Sequence, residues 1–495
     1  MKVILAGFNV DLDALSQCKK KDIVLTPESI SAAYARISRS PKPVDRLRQE
    51  SCKEVAKARR SNRTIIFEMG HHSIAEHAVF NFDIIGISRL AVEELEKFRL
   101  CSYTEKSQRY VTLKGDFVIP TVLKNSSLKN DYLNIIKLQN GYYRKLYKKI
   151  SAHNLRKNPG FVKKRKNEKI LKNSAKEDAR YILSLATQAQ LGATINARNL
   201  ELMIRRFASH NLKEINEFGK KLYMLVHKIA PSVILFHKAN DYDQKTYLEL
   251  QEYARRYEVM KIGSYEKRHI TDVELVDYTP DGDNRILAAL LFRVSKRSYR
   301  DAITFVRNLS KKKKVAFFKK SCERMELYDV LLREFEFTNL TFSLIVSAGC
   351  FGQLKRHRIA SISCQGYEPE LGLTIPESVI QVGEEKEFTR IAKKSTAVYK
   401  KIEKKHPGVG SYILTNAHRK RVLLSVNLRE LYHISRLRED PTAQWDIRYK
   451  ANKMSALAKK VMPIATLLLG GKSDYPKIYQ TVYGKKPKIT GVPSL

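Results

Sequence analysis

The chain runs to 495 residues and carries 92 Lys and Arg against 51 Asp and Glu, a net charge of +41. That length exceeds one ordinary hydrophobic core and suits two domains, while no apolar run approaches the ~18 residues of a membrane span. The six cysteines (Cys18, Cys52, Cys101, Cys322, Cys350, Cys364) form no Cys-x-x-Cys pair, which predicts a reducing, cytoplasmic setting and no structural zinc.

A field of this sign attracts anions: nucleotides, polyglutamylated cofactors or nucleic acid. The plain alternative is a lysine-rich surface.

In chain order, the opening Met1–Asp11 is too short and too early acidic for a signal peptide and reads as a strand. Thr26 before Pro27 predicts a helix start, and a charged helix follows over about 43–60. His71, His72, Glu76 and His77 lead into an apolar strand around Phe80 and Phe82; their spacing fits neither His-Glu-x-x-His nor two His plus an acid on one face, so no metal is expected. A helix is predicted over Leu90–Phe98, then a polar loop from Ser102 to Tyr110. The basic, Asn-rich stretch 151–176 reads as an insertion, a solvated loop or helix extension; a nucleic-acid arm is the other reading. An apolar helix over Phe218–Ile229 closes a first domain, 1–235, and a charged helical connector covers 236–267. A second domain, 268–480, opens on a strand at Val273; beyond Gly470 the chain is expected to be loosely held, with a basic tail over 481–495.

Two stretches recur. Arg99 and Ser102 correspond to Arg358 and Ser361 at an offset of 259, each copy following an aromatic-bearing apolar segment and preceding an Ile-Pro (Pro120, Pro376). Thr194, Asn196 and Arg198 correspond to Ser425, Asn427 and Arg429 at an offset of 231, so the first copy holds 28 extra residues, for which 151–176 is the natural place. A period this long means two whole domains of one type.

Neither half carries a Gly-x-Gly-x-x-Gly or a Walker loop. Phosphate is instead within reach of Arg, Ser and Gln clusters: Ser107 and Arg109, and Gln353 with Arg356, His357 and Arg358. Surface ion pairs are the plain alternative. No nucleophile triad or carboxylate pair stands out, so any demanding chemistry belongs to a cofactor.

Both halves resemble the flavin-dependent thymidylate synthases, with their signature Arg-His-Arg-x-x-Ser-x-Asn-Glu-x-Ser-x-Arg-Tyr. The resemblance implies an α+β fold in two tandem domains, a dimer that forms a pseudo-tetramer, FAD as cofactor, and reductive methylation of dUMP with methylenetetrahydrofolate and NADPH. In the first half the front of the signature is eroded (Lys97-Phe98-Arg99, with Glu94 for Gln) and the back survives as Glu105, Ser107, Arg109 and Tyr110. In the second half Gln353, Arg356, His357, Arg358 and Ser361 survive, while Cys364, Gly366 and Glu368 replace the back. The family's nucleotide-binding Arg matches Arg180 but is Ser411 in the second half; its uracil-ionising Arg matches Arg438 but is Phe207 in the first. Flavin contacts carry over to His71, to Arg356, His357 and Arg358, and to Asn196/Arg198 or Asn427/Arg429.

These losses are complementary, which the resemblance translates into a composite site: Glu105, Ser107, Arg109 and Arg180 from one half, Gln353, Arg356 and catalytic Arg438 from the other. A member that kept the fold without catalysis, or a binder of nucleotides or RNA, are the alternatives, although drift would scatter losses at random.

Overall fold

The computed structural model describes residues 1–17, 24–111, 113, 115–162, 164–257 and 271–490; the ends of the predicted connector and basic tail lie outside these described residues. The chain forms two compact units, Met1–Glu266 with Pro376–Thr415, and Lys267–Ile375 with Asn416–Leu495. Segment Pro376–Thr415, which the sequence places inside 268–480, thus packs with the first unit. The reason is its long helix Glu385–Lys405, which lies along helix Lys129–Lys157.

Each unit is built on one four-stranded antiparallel sheet. In the first, β1 (Lys2–Phe8), β2 (Val79–Ser88), β3 (Cys101–Glu105) and β4 (Gln188–Asn196) lie in the order β1-β2-β4-β3. In the second, β5 (Val273–Tyr278), β6 (Asn339–Ser347), β7 (Ser361–Cys364) and β8 (Arg419–Asn427) repeat it as β5-β6-β8-β7. Period-two alternation explains the central strands: Phe80, Phe82 and Ile84 are buried from β2, and Leu191, Ala193 and Ile195 from β4. In the second unit Leu340, Phe342 and Leu344 of β6 meet Val422, Leu424 and Val426 of β8 in the core.

The registers carry the repeat. Ser102 faces Thr194 across β3 and β4, and Ser361 faces Ser425 across β7 and β8, so both sequence offsets meet in one cross-strand pair. Gly86 (φ +73°) supplies the one extra residue of β2, a bulge between Ile85 and Ile87 that β6 lacks. Behind the bulge, Ser88 and Ser347 cap helices Arg89–Leu95 and Ala348–Leu354. Both cap hydroxyls also donate to a buried acid, Ser88 to Glu214 at 2.7 Å and Ser347 to Asp446 at 2.5 Å.

Two expectations are corrected. The stretch predicted as a polar loop from Ser102 is strand β3 through Glu105, because β4 offers it a free edge and Cys101 turns into the core. The chain beyond Gly470 is not loose: helix Tyr475–Tyr483 docks by its tyrosines, Tyr475 fully buried and donating to Met325 O at 2.6 Å, Tyr483 to Lys319 O at 2.8 Å. The expected helix over 90–98 ends at Leu95, and the one over 218–229 spans Lys213–His227. The basic insertion extends helix Lys129–Lys157 and adds helix Arg165–Ala179.

Within the first unit, counterparts of the repeat touch each other. The long helices begin at Lys129 and Glu385, an offset of 256, and Gln139 donates to Ser395, 256 residues on, at 2.8 Å. Ser184 forms an antiparallel bridge with Thr415, 231 residues on, beside a 2.9 Å bond from Leu185 N to Leu414 O. Such self-matching contacts are the mark of an isologous interface. Among the described residues no helix is long and apolar enough to cross a membrane.

Candidate functional site

In the first unit the cationic cluster grows from three elements. β3 ends on Glu105, whose carboxylate pairs with Arg89 at 3.8 Å, both side chains being under a tenth exposed. Lys106 N–H still bonds Gln190 O at 2.9 Å, and the chain then turns, with Ser107 Oγ accepting from Arg109 N at 3.1 Å. Arg109 leans on Glu177 from helix Arg165–Ala179. The next turn, Arg180–Ile182, buries Arg180 beside them. Burial pushes the Arg180 guanidinium below its ordinary value; Tyr181 and Glu177 oppose this, while the charges of Arg89 and Arg109 add to it. Three guanidiniums are thus held close enough to repel, with Glu105 and Glu177 as their carboxylate partners. An incoming dianion relieves that repulsion.

The second unit keeps the other half of the chemistry. Helix Leu428–Arg438 puts Arg438 at its last turn, where Nε donates to His357 Nε2 at 2.9 Å and Nη2 to Gln353 O at 3.3 Å. Gln353 Nε2 meets Gln444 Oε1 at 3.3 Å. His357 is 3% exposed, and burial, then Arg438, then His433, hold its imidazole well below the usual value. A neutral ring accepting at Nε2 carries its proton on Nδ1, which faces Glu430 at 3.5 Å. His357 is therefore a buried support for Arg438, with Arg356 exposed and Arg358 half-buried on either side of it.

The same positions of the first unit are rebuilt. Phe98 and Phe207 stand for His357 and Arg438 and meet edge to face at 5.7 Å. Glu94 stands for Gln353; against burial, which raises it, His210 and Lys97 hold its carboxyl down to about 2.

Asn196 and Asn427 cap helices Ala197–Ala208 and Leu428–Arg438, their side chains accepting from Asn199 N and Glu430 N at 3.0 and 2.8 Å. Arg198 pairs with Glu76 at 2.5 Å, and Arg429 with Glu336 at 2.9 Å. Glu76 belongs to the 3₁₀ segment His72–His77, which also walls a cavity of about 570 Å³ lined by Tyr34, Ile37, Arg39, Ile65, His71 and His77, among others. His71 is exposed on that wall, and His77 meets Tyr34 edge to face at 4.7 Å. An aromatic and aliphatic slot with a guanidinium and imidazoles at its rim suits a flat conjugated ring bearing polar substituents. The matching place in the second unit is a cavity of about 720 Å³ at Leu332, Glu336 and Phe337, among others. Among the described residues no group of three or more His, Cys, Asp or Glu could hold a metal ion.

The structure thus gathers Glu105, Arg109 and Arg180 in one cluster, Gln353, His357 and Arg438 in another, and His71 near the Arg198–Glu76 pair in a third place. Sequence reasoning missed Arg89 and Glu177. Arg89 left one signal, a lone cation inside the apolar run Ile87 to Val92, which marks a buried, paired charge; Glu177 left none.

The profile of the family described as "Thymidylate synthase complementing protein" matches residues 22–232 and again 274–464, so the chain belongs to that family, once in each half. Its relatives divide in the same way. A "UPF0159 protein" of Chlamydia muridarum is 26% identical over 419 residues, covering 81% of this chain and 78% of its own. A "Flavin-dependent thymidylate synthase" of Clostridium tetani is 27% identical over 215 residues, 42% of this chain and 82% of its own. One of Pyrococcus abyssi is 35% identical over 139 residues, 28% of this chain and 49% of its own. The protein is a tandem member of the flavin-dependent thymidylate synthase family.

Proposed function

We propose that the chain is an FAD-dependent thymidylate synthase that converts dUMP to dTMP with methylenetetrahydrofolate and NADPH. The observation that carries the reading is the cluster of Arg89, Arg109 and Arg180 in the first unit, built to receive a nucleotide phosphate while the second unit keeps the Arg438 that the first has lost.

On this reading each working site draws Glu105, Ser107, Arg109 and Arg180 from one half and Gln353, Arg356 and Arg438 from the other, in a homodimer equivalent to a tetramer. Arg109 and Arg180 bind the phosphate, and Ser107 holds the turn that presents Arg109. Arg438, aimed by neutral His357 and by Gln353 O, favours the ring-ionised form of the uracil. His71, Arg39 and Tyr34, with Asn196 and Arg198 behind them, hold the flavin; Asn427, Arg429, Arg356 and Arg358 are the second unit's candidates. Bound there and reduced by NADPH, the flavin would supply the hydride that completes the methyl group. The free cysteines Cys52, Cys101, Cys322, Cys350 and Cys364 support a reducing, cytoplasmic setting.

The test is the visible spectrum of the purified protein during titration with dUMP, followed by an assay of dTMP formation. A flavin spectrum perturbed by dUMP, with dTMP formed, is the expected result. A colourless protein that FAD cannot reconstitute overturns the proposal.

A further inference from the structure

The segment between the first two strands of the second unit is three helices, Gly282–Val294, Tyr299–Arg307 and Lys311–Cys322, which give Ile286, Leu290, Ala302, Val306 and Phe318 to the core. The charges on their outer faces are almost all cationic. Residues 282–322 hold twelve Lys and Arg against two acids, Asp283 and Asp301. Arg307 pairs with Asp281 at 2.8 Å and Lys320 with Glu323 at 2.9 Å, but Lys296, Arg297, Arg300, Lys311, Lys312 and Lys313 are exposed and make no ion pair among the described residues. The corresponding segment of the first unit is also basic, but four of its cations, Lys42, Arg48, Lys57 and Arg59, have carboxylate partners, against Arg307 and Lys320 here.

Two further features give this surface a direction. Helix Lys311–Cys322 opens on four consecutive lysines with no acid in its first turn, against both the helix dipole and mutual repulsion. A local rule broken at a stability cost marks a place selected for something else. Among the cations stand exposed rings: Phe292 at 52%, Tyr299 at 38% and Phe305 at 42% exposure, with the Arg297 guanidinium 5.1 Å over Phe305. The Lys314 ammonium bonds Arg307 O at 3.1 Å, joining the second and third helices into one face.

Cations track a phosphate backbone, and flat rings stack on bases only where the bases are unpaired. We infer that this three-helix face of the second unit binds single-stranded nucleic acid, independently of any synthase site. About five phosphates engaged give a salt slope near 3.5 for a single strand.

The test uses the full chain and a fluorescently labelled 20-nucleotide oligouridylate, followed by anisotropy from about 50 to 200 mM salt. The parent should bind with a steep salt dependence. The variant Lys311→Glu/Lys312→Glu/Lys313→Glu should lose about 30-fold or more in affinity and about 2 from the slope, since three contacts at ~0.7 each are removed. Its thermal stability should hold or rise, because acids suit a helix start, so lost binding is not lost folding. Phe305→Ala should cost about tenfold at an unchanged slope. The dUMP-dependent flavin change should be untouched in both, which separates this proposal from the synthase reading. No binding at 50 mM salt, equal binding by the variants, or equal binding of a duplex of the same length overturns it.

Discussion

Arg438 gives its Nε–H to His357 at 2.9 Å, and at the two corresponding positions of the other unit Phe98 and Phe207 pack edge to face. A half-buried guanidinium on a buried imidazole in one repeat has become a pair of rings in the other, both partners changing together. That is the expected solution where a buried polar group without its mate is costly.

The pair predicts a pH signature. His357 stays neutral when folded, its affinity for a proton lowered by burial and then by Arg438, whereas the unfolded chain takes up that proton below about 6.5. Its contribution to stability is therefore full above pH 6.5 and declines as pH falls. Between pH 7.5 and 5.5 the parent should lose about 1 kcal/mol more than His357→Gln in denaturant titrations. Parallel lines for the two proteins would refute this protonation state.

The arginine cluster predicts the nucleotide's grip. Arg180→Lys keeps the charge but loses the planar fork, and Arg109→Ala removes the group that Glu177 orients. Each should weaken dUMP binding about 10- to 100-fold in calorimetric titration, the worth of one charge-assisted contact. Unchanged affinity in either removes the residue from the proposed site.

Glu214 accepts from Ser88 N at 2.8 Å, Ser88 Oγ at 2.7 Å and Tyr412 OH at 2.6 Å, all within the first unit. Glu214→Ala strands three buried donors. Urea unfolding should show a loss of about 2–5 kcal/mol, whereas Tyr412→Phe should cost about 1 kcal/mol; similar values for the two would falsify the shared-acceptor account.

Tyr475, fully buried beneath the Arg436 guanidinium 3.9 Å from its ring, anchors the C-terminal helix. Tyr475→Ala should cost about 3–5 kcal/mol by the cavity it leaves. Thermal melts that match the parent would mean this helix is not part of the cooperative fold.

Much of this was legible in the chain. The repeat offsets, Thr194 with Ser425 above all, are the strand registers themselves, because equal spacing from a shared turn forces equal pairing. The strands at Phe80 and Val273 were readable from the chain itself. What escaped lay in tertiary choices. Ser102–Glu105 are polar enough for a loop, and only the free edge of β4 makes them a strand. The lysines flanking residues 475–483 hid their docking, which rests on Tyr475, Tyr479 and Tyr483 at helical spacing. Arg89 joins Glu105 through the fold and not through the sequence, so no spacing rule places it near Arg180.

Ser184 and Thr415 face each other although each is the other's counterpart, and so do Gln139 and Ser395. In an assembly of identical chains, residues beside such an axis are one codon read twice, and any mutation is imposed on both sides at once. Joined in one gene, the sides are inherited separately. Gln139 could acquire a hydroxyl partner that a second Gln139 would never offer it. On the composite site proposed above, the same freedom accounts for one half keeping Arg438 and the other Arg180, so that each half needs the other for a full set of residues.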